Sequence, residues 1–350
     1  LNFISWLQSS KPKKLNSGQV KMKILHVLQS KLSLPAKDYG GTERIVWGLL
    51  MAQQAAGHKV RLLWGNAADL PKNATRFDAT KSMREQIGSW PDIVHFHQPF
   101  TGELDVPYIS TEHGNAEGPR SYGQNTVFLS ARHAANHHAE CYVHNGLDWT
   151  EYGQPHLGKA QNYFHFLGKA KWPIKNLSGA VAVSKQAKAK LHVLGGVRFS
   201  LSSRGFYFHP DLHLRFHGMV GGEQKNQLVR QSQGLIFPVR WHEPFGLAII
   251  ESLYLGAPVF ATPYGAIPEI INRPDIGFLS TSYAELADAV QNIHKYDREA
   301  CHQYAKNRFD HLTMAASYQQ CYDKVIGGAV LNQIAPYSEQ SWHQLLPVTE

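Results

Sequence analysis

Short apolar runs alternate with amphipathic stretches along most of this chain. Lys23 to Leu28 (KILHVL) has the apolar character of a buried strand. A helix follows from Thr42, an N-cap by its hydroxyl, to residue 56, where Gly57-His58 ends it. Lys59 to Trp64, Asp92 to His97, Pro107 to Thr111, Asn125 to Leu129 and Cys141 to His144 repeat the strand pattern, and Ser130 is placed to cap a helix after Leu129. Residues 66–90 carry a signal too weak to place. Tyr152 to Gln161 is rich in Gly, Pro and polar residues, the pattern of a linker. Beyond it come strands at Tyr163 to Leu167, Lys190 to Gly195, Leu214 to Val220, Gly234 to Val239 and Pro258 to Ala261, with helices over 245–255, 283–294 and 314–326. Strands and helices in this alternation predict doubly wound α/β sheets.

The helix over 245–255 is out of the ordinary. Leu247, Ala248, Ile249, Ile250, Leu253 and Leu255 make it apolar nearly all round, the mark of a core helix, yet Glu251 sits in its middle. A lone buried carboxylate is costly, so Glu251 must meet a cation, a ligand or a cleft. The turn before it, Glu243-Pro244-Phe245-Gly246, puts Pro near the first helical position and leaves the Phe245, Gly246 and Leu247 amides without helical partners. Gly246 allows close approach, and the helix dipole favours an anion there. A phosphate seat framed by two carboxylates suits a ligand with both phosphate and hydroxyl groups.

His-Glu-Pro-Phe-Gly-Leu-Ala-Ile-Ile-Glu (242–251), followed by GAPVFATPYGAIPEII, resembles the Glu-x7-Glu signature of the retaining glycosyltransferases of family 4, which have the GT-B fold. The resemblance covers about Lys21 to Ile326 and is most specific in the second half. It implies that Glu243 contacts the transferred sugar and Glu251 the ribose of the donor, with the amides of 245–247 at the sugar or phosphates. It further implies that Gly40-Gly41, in the long loop before the first helix, lies near the donor phosphates, and that His113, before Gly114, contacts the sugar. Lys169 and Lys175, after the strand that ends at Gly168, match the two cations that stabilise the leaving diphosphate, although the first is more commonly Arg in the family; Lys171 competes with them. Lysine is a point charge without the planar fork of arginine, which leaves bidentate phosphate binding in question. Gly221 falls near the place where the base is held, and Arg132 and His133 are candidates for the acceptor cleft.

The implied architecture is two Rossmann-like doubly wound domains facing across a cleft. The expected divisions are a leader over residues 1–20, an acceptor domain over 21–152, a hinge over 153–161 and a donor domain over 162–311. A C-terminal helix and tail over 312–350 return to the first domain. No cofactor is implied beyond the nucleoside diphosphate sugar as donor, and no metal. The acceptor would be a glycan or lipid-linked hydroxyl in surface polysaccharide or lipopolysaccharide assembly, and the setting cytoplasmic or peripheral at the inner face of a membrane.

Composition alters this picture little. At 350 residues, with 43% hydrophobic and 18% charged, the chain suits two ordinary globular domains. The net charge of +8 admits an acidic partner, but Lys and Arg are spread without a basic stripe, which argues against nucleic acid. The three cysteines form no CxxC pair, and no apolar run reaches the roughly 18 residues of a membrane span. The apolar Leu1 to Leu7 beside Lys11, Lys13 and Lys14 reads either as an unstructured leader or as a weak anchor for an anionic membrane surface. His95 and His97 share one strand face that could suit a metal, with no third ligand evident in the sequence. Gly40-Gly41 is not the GxGxxG of a dehydrogenase. A sugar-nucleotide-binding protein without transferase activity, or a GT-B epimerase, are the alternatives; the first would have lost the carboxylates or cations that are present here.

Overall fold

The computed structural model describes residues 20–349 except 31, 35, 37–39, 66–72 and 203–204, with no side chains described over 200–207. The expected leader, apart from Val20, lies outside the described residues.

In the first half, β1 (Lys23–Leu28), β2 (Lys59–Trp64), β3 (Ala74–Arg76), β4 (Ile93–Phe96) and β5 (Tyr108–Thr111) are joined through α1 (Gly41–Ala55) and the short α2 (Met83–Ile87). β6 (Arg120–Ser121) stands apart, and β7 (Thr126–Val127) closes a parallel sheet of order β3-β2-β1-β4-β5-β7 before α3 (Ala131–Ala135). Ser130 caps α3 by accepting the His133 amide at 3.0 Å. Cys141 to His144 is not a strand: only an isolated bridge, Phe128 to Tyr142, forms there. The Asn332 side chain explains this, because its Oδ1 accepts the Glu140 and Cys141 amides that a ladder would have used.

The second half repeats the plan with β8 (Phe164–Leu167), α4 (Leu177–Gln186), β9 (Leu191–Leu194), a hairpin of β10 (Phe199–Ser202) and β11 (Gly205–Phe208), then β12 (Leu214–Phe216) and α5 (Gly222–Arg230). β13 (Leu235–Phe237), α6 (Leu247–Tyr254), β14 (Val259–Ala261), α7 (Ile267–Ile270), β15 (Gly277–Leu279), α8 (Tyr283–Gln291) and α9 (Arg298–Arg308) complete it. The sheet order is β12-β9-β8-β13-β14-β15, all parallel. The sequence pattern placed neither α4, α5 nor α9. The Ala-Val-Ala-Val centre of α4 lacks a polar face, and α5 is polar along most of its length. α6 begins at Leu247 and not at Phe245, because Gly246 takes the left-handed φ of +106° and ends the preceding turn.

α10 (His311–Ile326), capped by Asp310, runs back across the first half and packs on α1 and β5. Two of its tyrosines bond there: Tyr322 Oη accepts from Gln53 at 3.0 Å, and Tyr318 Oη meets Thr111 Oγ1 at 3.1 Å. β16 (Tyr337–Ser338) pairs with β6. Where the chain passes between the halves, Trp149 stacks flat on Tyr254, 4.1 Å between centroids. One apolar core runs from Ile24 and Leu49 of the first half to Ile250 and Leu253 of the second. Strand order reverses at β1/β4 in one sheet and β8/β13 in the other, the places where open α/β sheets leave a crevice for ligands. Among the described residues no helix is long and apolar enough to cross a membrane.

Candidate active site

The two crevices face each other and enclose a cleft of about 460 Å³. Gly40, Gly41 and His113 line it from the first half. From the second come Lys169, Lys175, Glu243, Phe245, Gly246, Leu247 and Glu251. Residues about 200 positions apart in sequence therefore meet in one place. Gly221 does not line the cleft; it caps α5, and Met219 and Val220 reach the wall in its stead. Lys171 is exposed and off the wall. His133 is a structural residue: fully buried, it accepts the Leu129 amide and meets the Gly114 carbonyl at 2.9 Å. Arg132 is exposed, and neither lines the cleft. A larger groove of about 700 Å³ on the outside of the first sheet, beside Gln54, Arg61 and Trp90, contains none of the predicted residues.

Glu243 is held from two sides. Lys175 Nζ lies 2.7 Å and Trp241 Nε1 2.8 Å from its Oε2, which leaves Oε1 for the cleft. Behind it, Gly265 has a φ of +67°, and a Cβ there would stand 2.2 Å from the Glu243 carbonyl oxygen; only glycine fits. The amides of Phe245, Gly246 and Leu247 donate to no backbone carbonyl among the described residues, so the seat for an anion before α6 is open. Lys169 lies over the Trp172 ring at 4.4 Å.

Glu251 answers the question its sequence position raised. It is 8% exposed, and its Oε1 accepts both Lys225 Nζ and Tyr152 Oη at 2.5 Å. Burial alone would raise this carboxyl; the Lys225 ammonium and the Tyr152 hydroxyl outweigh it and hold the pKa below the usual range. Burial pushes the Lys225 ammonium down in spite of Glu251, so the carboxylate, with its second donor, gains more than its partner does. Lys225 was not evident in the sequence, because it sits in the polar α5 with nothing to mark it as buried. Removing it by Lys225→Met leaves Glu251 buried with a single hydrogen bond, and unfolding by denaturant should show a loss of about 3 kcal/mol, largely regained in the double variant with Glu251→Gln. A Lys225→Met protein as stable as the parent would refute the buried ion pair.

Arg44 and Asn145 are among the other wall residues that the sequence did not mark. Arg44 of α1 faces the cleft and pairs with Glu151 at 2.8 Å. Asn145 is 4% exposed, and its Oδ1 has no hydrogen-bond partner among the described residues, a buried polar atom on the cleft wall that a ligand could satisfy.

The halves touch around the cleft through polar contacts. Ser130 Oγ donates to the Pro244 carbonyl at 2.9 Å, and Asn115 Nδ2 to that of His242 at 2.6 Å. The Glu269 carboxylate accepts the Ala131 and Arg132 amides at the start of α3.

Residues 154–310 match the family model described as glycosyl transferases group 1. A protein of Klebsiella pneumoniae, "Uncharacterized 41.2 kDa protein in cps region", is 31% identical over 114 residues, 31% of each chain. The chain spans about a third of the length of the curated relatives it matches. Among solved structures, AviGT4, a glycosyltransferase involved in avilamycin A biosynthesis, superposes with a TM-score of 0.72 at 20% identity, covering 89% of this chain and 100% of that one. HepE of Anabaena in complex with UDP-glucose gives 0.60 at 16% identity, covering 86% and 98%. These likenesses establish the fold.

Proposed function

From the match of residues 154–310 to the glycosyl transferases group 1 family, we propose that the chain is a retaining, metal-independent transferase that moves a sugar from a nucleoside diphosphate sugar to a hydroxyl acceptor. The observation that carries this reading is the meeting of two lysines, a carboxylate and unbonded amides at one strand-order reversal. A departing diphosphate develops negative charge, and cations and amides fixed in advance stabilise it without reorganising. Lys169, Lys175 and the amides of 245–247 have that role. Glu243 and His113 orient the sugar, and Glu251 meets the ribose through its Oε2. The acceptor hydroxyl attacks from the face the leaving group occupies, and the donor phosphate accepts its proton. Gly40 and Gly41 bring first-domain backbone close to the donor: the nearest atom to a Cβ on Gly41 would be Leu247 Cδ1, at 3.0 Å. A glycan or lipid-linked acceptor in surface polysaccharide assembly is in keeping with the Klebsiella relative from a cps region and with the glycosyltransferase folds above.

A panel of UDP-, GDP-, ADP- and TDP-sugars followed by thermal unfolding tests the donor class, since a ligand of the folded state raises Tm by mass action. One base should raise Tm by several degrees at millimolar donor, and Glu251→Gln should reduce that shift. No shift with any of the four would overturn the reading.

A further inference from the structure

His113 is the cleft end of a chain of hydrogen bonds that passes through the interior of the first domain. Its Nε2 lies 3.2 Å from His97 Nδ1, and His97 Nε2 lies 2.9 Å from His26 Nδ1. His26 Nε2 meets Gln53 Oε1 at 2.7 Å, and Gln53 Nε2 donates to Tyr322 Oη at 3.0 Å. Tyr322 Oη meets His95 Nδ1 at 2.8 Å, and His95 Nε2 meets Thr111 Oγ1 at 2.8 Å. Only the register of β1 on β4, which pairs His26 with His95, brings the three inner histidines together.

Their ligand atoms lie within 4.8 Å of one another, a spacing a metal could use. Both ring nitrogens of each are already engaged in hydrogen bonds, however, and His26 and His95 are wholly sealed from solvent. A neutral imidazole carries one N–H, so the direction of each link dictates the next. Gln53 breaks the symmetry, for its carbonyl oxygen faces His26 and its amide Tyr322. His26 is then protonated on Nε2, as are His97 and His113 in turn. His113 Nδ1, which makes no hydrogen bond among the described residues, is left as a bare acceptor. Burial lowers the pKa of His26 and of His113 to about 4 and holds His97 well below the usual histidine range, which keeps all three neutral near pH 7.

We propose that Gln53, His26 and His97 form a positioning relay that fixes the tautomer of His113, so that its Nδ1 accepts a hydrogen bond from a hydroxyl of the bound sugar. This rests on reading the cleft as a nucleotide-sugar site. None of the three lines the cleft, and each acts only through the next.

The test joins a spectroscopic readout to kinetics. Protein labelled with ¹⁵N in its histidine rings, with His113 assigned by the signal lost in His113→Gln, should have His113 protonated on Nε2 and bare on Nδ1 at pH 7. His97→Leu removes the acceptor and should give a mixture of tautomers. It should also lower kcat/KM for the donor sugar about tenfold, in line with one lost hydrogen bond, mainly through KM. His97→Asn, whose side-chain oxygen can stand near the lost Nδ1, should restore both to within about threefold. Tyr322→Phe, on α10 and off the cleft wall, frees Gln53 to turn over and should shift the tautomer ratio in the same direction as His97→Leu; it decides the matter if His97→Leu does not fold. His113 protonated on Nδ1 in the parent, or variants indistinguishable from it in the NMR spectrum, would overturn the relay. So would a stoichiometric metal in the purified protein whose removal shifts the His113 signals. A protein that turns over no nucleotide sugar would defeat the proposed function, and the NMR measurement would still judge the relay.

Discussion

Lys175→Ala is expected to slow glycosyl transfer by about 10²–10³-fold, the scale on which a preorganised charge at a developing anion acts. The fall should lie mainly in kcat, because the charge on the leaving group grows in the transition state and a cation there stabilises that state more than the bound donor. Two effects are combined in this substitution. Lys175 is the proposed phosphate cation and also holds Glu243 at 2.7 Å, so its loss leaves that carboxylate to Trp241 alone. Lys175→Arg separates them: it keeps the charge but changes its shape and reach, and should recover part of kcat. Lys171→Ala serves as the control, since Lys171 is exposed and off the cleft wall; its rate should stay within about twofold. Steady-state kinetics with the donor identified by thermal shift would settle the role. A normal kcat in Lys175→Ala removes it from diphosphate stabilisation.

The second large effect concerns acid. The protein should unfold near pH 5, above the range in which carboxylates usually protonate. Burial lowers the pKa of His26 and His113 to about 4 and of His165, which lies between Ser232 and Ser252 in the second domain, to about 3. Free histidine titrates near 6.5, so below that pH the unfolded chain binds protons that the folded protein refuses. Stability contributed by these neutral rings is complete above about pH 6.5 and is lost as pH falls towards 4. Each costs roughly 1.4 kcal/mol per pH unit over that window, so the three together remove about 6 kcal/mol by pH 5. Stabilities of this order are the whole margin of many domains. His95, His97 and His133, also pushed down by burial, add to the loss. An acid titration followed by circular dichroism should show the transition, and His165→Gln, which keeps a neutral polar side chain between the two serines, should move its midpoint to lower pH. A protein still folded at pH 4 would mean that these rings accept protons in the folded state.

Much of the plan was legible because it depends on local chemistry. Apolar runs too short for helices, set between amphipathic stretches, gave the strands of both sheets except the edge strands β3 and β15, and Ser130 capped the helix it was expected to cap. Glu243, Gly246 and Glu251 could be picked out because a carboxylate inside an apolar helix and a Pro-Gly turn before it are local anomalies. What failed was equally physical. Cys141 to His144 has the side chains of a strand, but Asn332, nearly 200 residues away, takes the Glu140 and Cys141 amides where it would begin. α5 looks like a solvated segment, yet it buries Lys225. Gly221, read as near the base, caps α5 next to the wall residue Val220.

By itself, then, the sequence determined the two-domain α/β class and the Pro-Gly turn before α6 with its open amides and carboxylates, since turn chemistry and hydrophobic period act between near neighbours. Only the tertiary structure decided what those carboxylates meet. Glu251 found Lys225 and Tyr152, Glu243 found Lys175 and Trp241, and the isolated pair His95 and His97 gained His26 and a path to His113. Such partners are set by strand register and by the packing of one domain on another, and the spacing of residues along the chain contains no record of either.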